Sequence, residues 1–358
     1  MTNKAGRVTV VVGGQFGSEA KGHVAARAAR EDRDARIPHV AVRVAGPNAG
    51  HTAYDDLGHK FAFRALPVAA VIDPTAQLVV SAGSEIEIEV LRKEIEWAER
   101  CGHDVRERLW IDAQATILTD RHKDAESFAQ LTMRLGSTGK GIGAARSERI
   151  MRTAEIGYDY EWELRQLGHL TSTAPLIADR LRANHRVLIE GTQGYGLGLH
   201  AGYYPKCTSS DCRAIDFLAM AGISPWQART TDVIIVCRYY PIRVAGDSGH
   251  LYGETSWEDL GLEPELTTVT KKVRRVGLWD EDLVRRAVEA NGGPASNVHI
   301  ALTMVDQRWP EVAGLDGDFR AQKEKIPTEA LDFIQQVEDK TGADVVAIGT
   351  GPRTMVVA

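Results

Sequence analysis

The sequence predicts an α/β protein with a central, mostly parallel sheet and helices on both faces. Three observations carry this. Short β-branched runs recur along the chain without polar alternation, as in strands covered on both faces. Helix-patterned segments fall between them. Glycine-rich loops follow several of the runs, at the strand end where ligands of parallel sheets bind.

The elements follow in order. Arg7–Val12 (RVTVVV) reads as a buried strand ending at Gly13 and Gly14, and residues 20–30 form an Ala-rich helix. His39–Val44 is a second strand. Ser84 and Glu87 carry a capping-box signal for a helix running to about Arg100, stopped by Cys101 and Gly102. Arg186–Ile189, Asp232–Val236, His299–Leu302 and Asp344–Ile348 are further strands. Helices are predicted near Pro175–Ala183, Asp280–Glu289 and Thr328–Lys340. No repeat, low-complexity tract or linker interrupts the pattern, which predicts one elaborated domain over residues 1–358.

Composition removes several function classes. With 43% hydrophobic and 26% charged residues in 358, the chain can bury enough apolar surface to fold. A net charge of −6 argues against sequence-independent nucleic-acid binding, which needs a basic face, but leaves a small nucleotide open. No apolar run approaches membrane-spanning length, and the first residues predict no signal peptide. Cys101, Cys207, Cys212 and Cys237 lack C-x-x-C spacing and read as reduced thiols. A cytoplasmic protein is expected, in host cytoplasm if the source is viral.

The loops carry the chemistry. GGQFGSEAKG (13–22) lies between a strand and a helix, where backbone N–H groups and Lys21 make an anion site. It departs from the regular phosphate loop, since Ala20 stands where Gly belongs and Gly22 where Ser or Thr belongs. The plain alternative is a tight turn needing glycine. GPNAGHT (46–52) places His51 after a strand, a candidate for acid–base work rather than a structural histidine. GSTGKGIG (136–143) combines hydroxyls, glycines and Lys140 as a second anion cradle, against a plain surface loop. EGTQG (190–194) and YYPKCTSS (203–210) follow. TTVTKKVRRVG (267–277) is either a solvated basic face or a grip for carboxylate or phosphate. In LTMVD (302–306), Asp306 is placed to read a base edge, or is a helix cap.

These stretches, with IGTGPR (348–353), resemble in order the adenylosuccinate synthetase family, from residue 11 to residue 353. The resemblance implies a P-loop-like member of the α/β class. It also implies a ligase that phosphorylates the 6-oxygen of a purine nucleotide and then joins aspartate at that carbon. It implies a homodimer with shared sites and Mg²⁺, since phosphoryl transfer relies on positioning and charge. By position, His51 resembles the general acid, Lys21 the lysine at the transferred phosphoryl, and Ser18 the residue facing purine N1. Asn48, Ser137, Thr138, Gln193 and Thr208 match acceptor-nucleotide contacts, and Arg152 the arginine lent by the partner subunit. Thr270, Lys272 and Arg274 match the aspartate grip. Gly17, Glu19, Gly22, Gly50, Thr52, Asp306 and Gly351 match triphosphate contacts, and Ser18 and Gly50 the metal contacts.

Four departures matter. Ser18 stands for the usual aspartate base and Lys272 for the usual arginine. Met304 and Gly349 replace residues that support guanine reading, and the chain is short. The serine, the altered base-reading site and the shortening together resemble a viral branch that uses dGMP with ATP or dATP to make N6-succino-2-amino-2′-deoxyadenylate for 2-aminoadenine DNA. Archaeal adenylosuccinate synthetases, acting on IMP with GTP, can also be short and carry serine. A nucleotide sensor on the same fold would need neither His51 nor an aspartate grip. A dehydrogenase would need a strand–G-x-G-x-x-G–helix unit followed by an acidic residue, which is missing.

Overall fold

The computed structural model describes residues 6–44, 46–267 and 272–358. Eleven strands form its central sheet: β1 Arg7–Gly13, β2 His39–Arg43, β3 Gln77–Val80, β4 Leu109–Asp112, β5 His169–Thr171, β6 Arg186–Glu190, β7 Thr230–Arg238, β8 Val298–Thr303, β9 Gly317–Asp318, β10 Val345–Gly349 and β11 Met355–Val357. Across the sheet the order is β9-β11-β10-β8-β7-β1-β6-β2-β3-β4-β5. Every pairing is parallel except β10 with β11, a hairpin whose turn holds Gly351.

Helices cover both faces. Along β1, Val8, Val10 and Val12 enter one core, with Ile177 of α4 (Thr173–Arg182), Phe217 of α5 (Ala214–Met220), Leu283 of α6 (Glu281–Ala290) and Ile334 of α7 (Thr328–Thr341). Val11 faces the other core. It meets Ala25 and Ala29 of α1 (Lys21–Asp34) and lies with Leu91 and Ile95 of α2 (Ile88–Arg100). Alternating valines on a central strand thus serve two apolar layers, the arrangement inferred from unalternated runs. Small alanines on α1 let that helix lie close to the sheet. Among the described residues no helix is long and apolar enough to cross a membrane.

Two details differ from expectation. The capping box at Ser84 does not form: Ser84 Oγ donates to the Arg43 carbonyl at 3.1 Å, and Glu85–Ile86 is a short strand paired with Thr116–Ile117. The helix begins at Ile88. Its predicted stop holds, with Cys101 as C-cap and Gly102 at φ 91°. The strands β3, β4, β5, β9 and β11 were not foreseen. All are five residues or shorter.

Candidate active site

The glycine-rich loops meet beyond the carboxyl ends of β1, β2, β6, β7 and β8. In the first loop Glu19 is fully buried and turned inward. Its carboxylate accepts N–H bonds from Gly17 at 2.7 Å and Gln15 at 3.2 Å. Lys21 lies 2.6 Å from that carboxylate and 2.5 Å from the Gln193 carbonyl. The loop is therefore shaped around an internal ion pair. Glycines here are steric needs: a Cβ on Gly13 of this loop would stand 2.3 Å from the Gln193 oxygen, and one on Gly194 of the facing EGTQG stretch 2.6 Å from Glu19 Oε1. A Cβ on Gly22 would fall 2.7 Å from the His51 Cβ, so the Ser or Thr of a regular phosphate loop has no room. Ser18 (φ 59°) and Ala20 (φ 64°) adopt left-handed conformations.

His51 opens the strand His51–Tyr54, paired with Lys60–Phe63, instead of lying in a loop. The ring is buried. Nδ1 lies 2.7 Å from Glu190 Oε2, while Glu190 Oε1 accepts the Val68 N–H at 2.7 Å. A 2.7 Å contact between ring nitrogen and carboxylate requires a proton between them. Arg43 Nη1 lies 3.0 and 3.2 Å from the two ring nitrogens, which a position over the ring face allows. Burial, then the Arg43 and Lys21 charges, push the His51 pKa well below its usual value. Burial pushes the Glu190 carboxyl up to about 7, against the opposing pull of Arg43. The pair thus holds one proton near neutrality, on Nδ1 or the carboxyl, and keeps Nε2 oriented. Arg43 Nη2 also donates to the Ala49 carbonyl at 2.9 Å, fixing the GPNAG turn.

The other expected residues group as follows. A Cβ on Gly46 would meet Ile142 Cδ1 at 2.4 Å, so the Asn48 loop packs on the end of the third glycine cluster. Ser137 Oγ accepts the Gly139 N–H at 3.2 Å, and Thr138 is exposed. The Thr208 N–H donates to the Leu197 carbonyl at 2.8 Å, beyond EGTQG. Gln193 (φ 60°) is half-buried above Gly17. Arg274 Nη1 donates to Ser18 Oγ at 3.1 Å, joining the first loop to the basic one. Lys272 is exposed, with its N–H on Thr267 Oγ1 at 3.0 Å. Thr270 lies outside the described residues. Asp306 sits within the 3₁₀ turn Val305–Gln307 rather than capping a helix, and burial raises its pKa. Thr52 is exposed at the mouth of a small cavity of about 40 Å³ that Pro352 and Arg353, next to Gly351, also line. Gly50 is exposed as well. Arg152 caps the helix Ile142–Met151 at its C-terminus. Its exposed guanidinium has no partner among the described residues.

Sequence reasoning missed Arg43, Glu190 as a partner of His51, Arg238 and Glu265. Arg238 is fully buried and binds the Glu265 carboxylate at 2.5 Å. A readable signal existed: Arg43, Glu190 and Arg238 each close a strand directly after a run of apolar residues, where a buried titratable side chain must find a partner.

The adenylosuccinate synthetase family profile matches residues 10–159 and 155–308. The adenylosuccinate synthetase of Methanococcus maripaludis strain C7 is 37% identical over 348 residues, 96% of each chain. That of Pyrococcus sp. strain ST700 is 37% identical over 347 residues, covering 96% of this chain and 95% of the relative. Among solved structures, the succinoaminodeoxyadenylate synthetase of cyanophage S-2L, bound to dGMP and dATP, matches with TM-score 0.79 and 27% identity, over 99% of this chain and 95% of that one. The fully ligated adenylosuccinate synthetase of Plasmodium falciparum shares the fold, with TM-score 0.81 and 22% identity, over 99% and 100%. With its nucleotide loops gathered at one end of a parallel sheet, this chain belongs to the adenylosuccinate synthetase family of C–N bond-forming ligases.

Proposed function

We propose that the protein, folded as a single domain, joins L-aspartate to C6 of dGMP. ATP or dATP, rather than GTP, donates the phosphoryl group. The γ-phosphoryl moves to the 6-oxygen, and the aspartate amine then displaces it as phosphate. The product is N6-succino-2-amino-2′-deoxyadenylate. The observation that carries this reading is Ser18: small, uncharged and exposed where the family's usual aspartate would face N1, with its hydroxyl on Arg274. Such a side chain leaves room for a 2-amino group and can accept from it. The dGMP and dATP bound by the cyanophage S-2L enzyme are consistent with this choice. A second reading, IMP with GTP, is favoured by the archaeal adenylosuccinate synthetases at 37% identity.

Each side chain has a task in this reaction. His51, oriented by Glu190, places Nε2 as a donor toward the 6-oxygen as it takes the phosphoryl group. Lys21 faces the transferring group. Asn48, Ser137, Thr138 and Thr208 hold the 5′-phosphate, and Gln193 meets the purine. Thr270, Lys272 and Arg274 hold the aspartate carboxylates. Gly17, Gly22, Thr52, Asp306 and Gly351 line the triphosphate, while Glu19 shapes its loop from within.

Magnesium fits this site as an ion carried with the triphosphate. Among the described residues no group of three or more His, Cys, Asp or Glu could hold a metal. That suits an ion whose other ligands are phosphate oxygens and waters. Gly50 would offer its carbonyl, and Ser18 its hydroxyl once turned from Arg274. The ion would offset charge on the triphosphate oxygens.

We also propose a homodimer with shared sites. Arg152, without a side-chain partner among the described residues, stands beside the exposed apolar side chains of Ile150 and Met151, with Phe128 and Met133 also exposed. Such surface suits a partner, here a second copy that would receive Arg152.

One assay matrix tests the substrate reading: IMP, GMP and dGMP against ATP, dATP and GTP with aspartate, followed by phosphate release and product mass. Highest kcat/KM with dGMP supports it. Preference for IMP and GTP replaces it with the second reading.

A further inference from the structure

Arg238 ends β7 with its side chain wholly buried. A buried cation persists only where it is closely paired. Nη1 and Nη2 bind the two oxygens of Glu265 at 3.2 and 2.5 Å, fork on fork. Nη1 also donates to the Ser18 carbonyl at 3.3 Å, and Nη2 to Gln307 Oε1 at 3.4 Å. The main chain of Arg238 is clamped too: its N–H donates to Gln15 Oε1, and its carbonyl accepts from Gln15 Nε2, both at 3.0 Å. The position of Arg238 is therefore set by the first glycine loop.

The far end of the pair sets the basic loop. The Glu265 carbonyl accepts the Arg274 N–H at 2.8 Å, and the Leu266 carbonyl accepts Arg274 Nε at 3.3 Å. Leu266 bridges Val273, and the Thr267 N–H donates to the Lys272 carbonyl at 2.8 Å. The limb carrying Lys272 and Arg274 thus folds back on residues 265–267, and Glu265 is bolted to Arg238. Arg274 Nη1 then returns to Ser18 Oγ. The contacts close a ring: Ser18 carbonyl, Arg238, Glu265, Arg274, Ser18 hydroxyl.

We infer that Arg238 is a positioning residue for aspartate capture: its pair with Glu265 latches the loop bearing Arg274 onto the first glycine loop. This rests on the reading of that loop as the aspartate grip. Without the latch, the grip would be formed in a fraction of molecules, and apparent affinity falls by that fraction. The 5′-phosphate contacts at Asn48, Ser137, Thr138 and Thr208 lie on other segments and should be spared, while the first loop and the turn holding Asp306, which Arg238 touches at single, longer bonds to Ser18 and Gln307, should lose less than the loop bearing Arg274.

The test compares Arg238→Met, Arg238→Lys and Glu265→Gln with the wild type. Steady-state kinetics vary each substrate in turn, and hydrogen exchange follows the ligand-free peptide spanning 262–278. For Arg238→Met we expect the aspartate KM to rise about 10–100-fold. The kcat and the other two KM values should stay within about threefold. Exchange at Arg274 should quicken, and Arg238→Lys, which keeps the charge but not the fork, should fall between. If Arg238→Met does not fold, Glu265→Gln carries the same expectation, since Glu265 is partly exposed. An unchanged aspartate KM, unchanged exchange, or a uniform loss in all kinetic constants overturns the latch. Wild-type phosphate release that needs no aspartate would instead overturn the functional reading, and the exchange comparison still decides whether the latch exists.

Discussion

Ser18→Asp tests the substrate reading at one atom. The Ser18 hydroxyl accepts a bond from Arg274 at 3.1 Å on an exposed residue with φ 59°. Aspartate is among the residues that tolerate this left-handed region, so the backbone bears little new strain. A carboxylate there would pair with Arg274, and at such exposure the pair adds at most about 1 kcal/mol of stability. The larger effect falls on substrates. IMP and dGMP differ at the base by the 2-amino group. A carboxylate held by Arg274 takes up the space beside N1 and withdraws the small hydroxyl that could accept from that group. Each unmatched polar contact costs about 1–3 kcal/mol, or roughly 5- to 150-fold in kcat/KM. The ratio of kcat/KM for dGMP over IMP should therefore fall by about that factor. Aspartate KM should rise too, because the new carboxylate competes for Arg274. Phosphate release measured with both acceptors reads these effects. A wild type that already prefers IMP, or a variant whose ratio matches the wild type, refutes the reasoning.

Other expectations concern His51, the dimer, the first loop and pH. His51→Asn should lower kcat by about 10²–10⁴ with little change in dGMP affinity; near-normal turnover removes His51 from the chemistry. His51→Asn and Arg152→Leu should each be nearly inactive, yet recover about a quarter of wild-type activity after subunit exchange, since half the dimers then hold one intact site. No recovery after verified exchange means sites built within one chain. Ala20→Gly should stabilise the fold by up to about 1 kcal/mol in denaturant titration, because Ala20 sits at φ 64° and glycine bears no penalty there; a loss of stability would contradict this. For pH, the raised Glu190 pKa, about 7 against 4.5, gives stability present in acid and lost as pH rises through 7. The depressed His51 pKa gives the opposite: stability present above 6.5 and lost as pH falls below it. Below pH 6.5 the two limbs oppose each other, since the folded chain holds its proton on the Glu190 side and the unfolded chain holds it on histidine. His51→Asn should expose the Glu190 limb, a loss of about 3 kcal/mol between pH 4.5 and 7, read by denaturant titration across that range. An equally flat profile in that variant sinks the shared-proton account.

What the sequence makes legible follows from how far apart the cooperating residues lie. Arg7–Gly13, Arg186–Glu190 and Thr230–Arg238 announce themselves because burial on both faces demands β-branched apolar runs. Leu109–Asp112 and His169–Thr171 lie toward one edge of the sheet and are short and mixed, so no local pattern separates them from loop. Ser84 and Glu87 satisfy a local capping rule, but Glu85 and Ile86 are drawn into pairing with Thr116 and Ile117, so the helix starts only at Ile88. The same logic divides the site. Lys21 and His51 are visible because glycines around them mark backbone crowding, and the crowding is real at Gly13, Gly22 and Gly194. Partnerships are not visible. Arg43 and Glu190 are 147 positions apart and become neighbours only because β2 and β6 pair in register, Arg43 opposite Glu190. Arg238 meets Ser18 across 220 positions, because β7 lies beside β1. In a parallel sheet every strand ends at the same rim, so an ionised residue closing an apolar strand has a restricted set of partners: ionised residues closing adjacent strands, and the loops that follow them. Arg43, Glu190 and Arg238 all obey that restriction. Strand-ending charges are thus a physical signal for the residues that orient a nucleotide site, as glycines are for those that touch it.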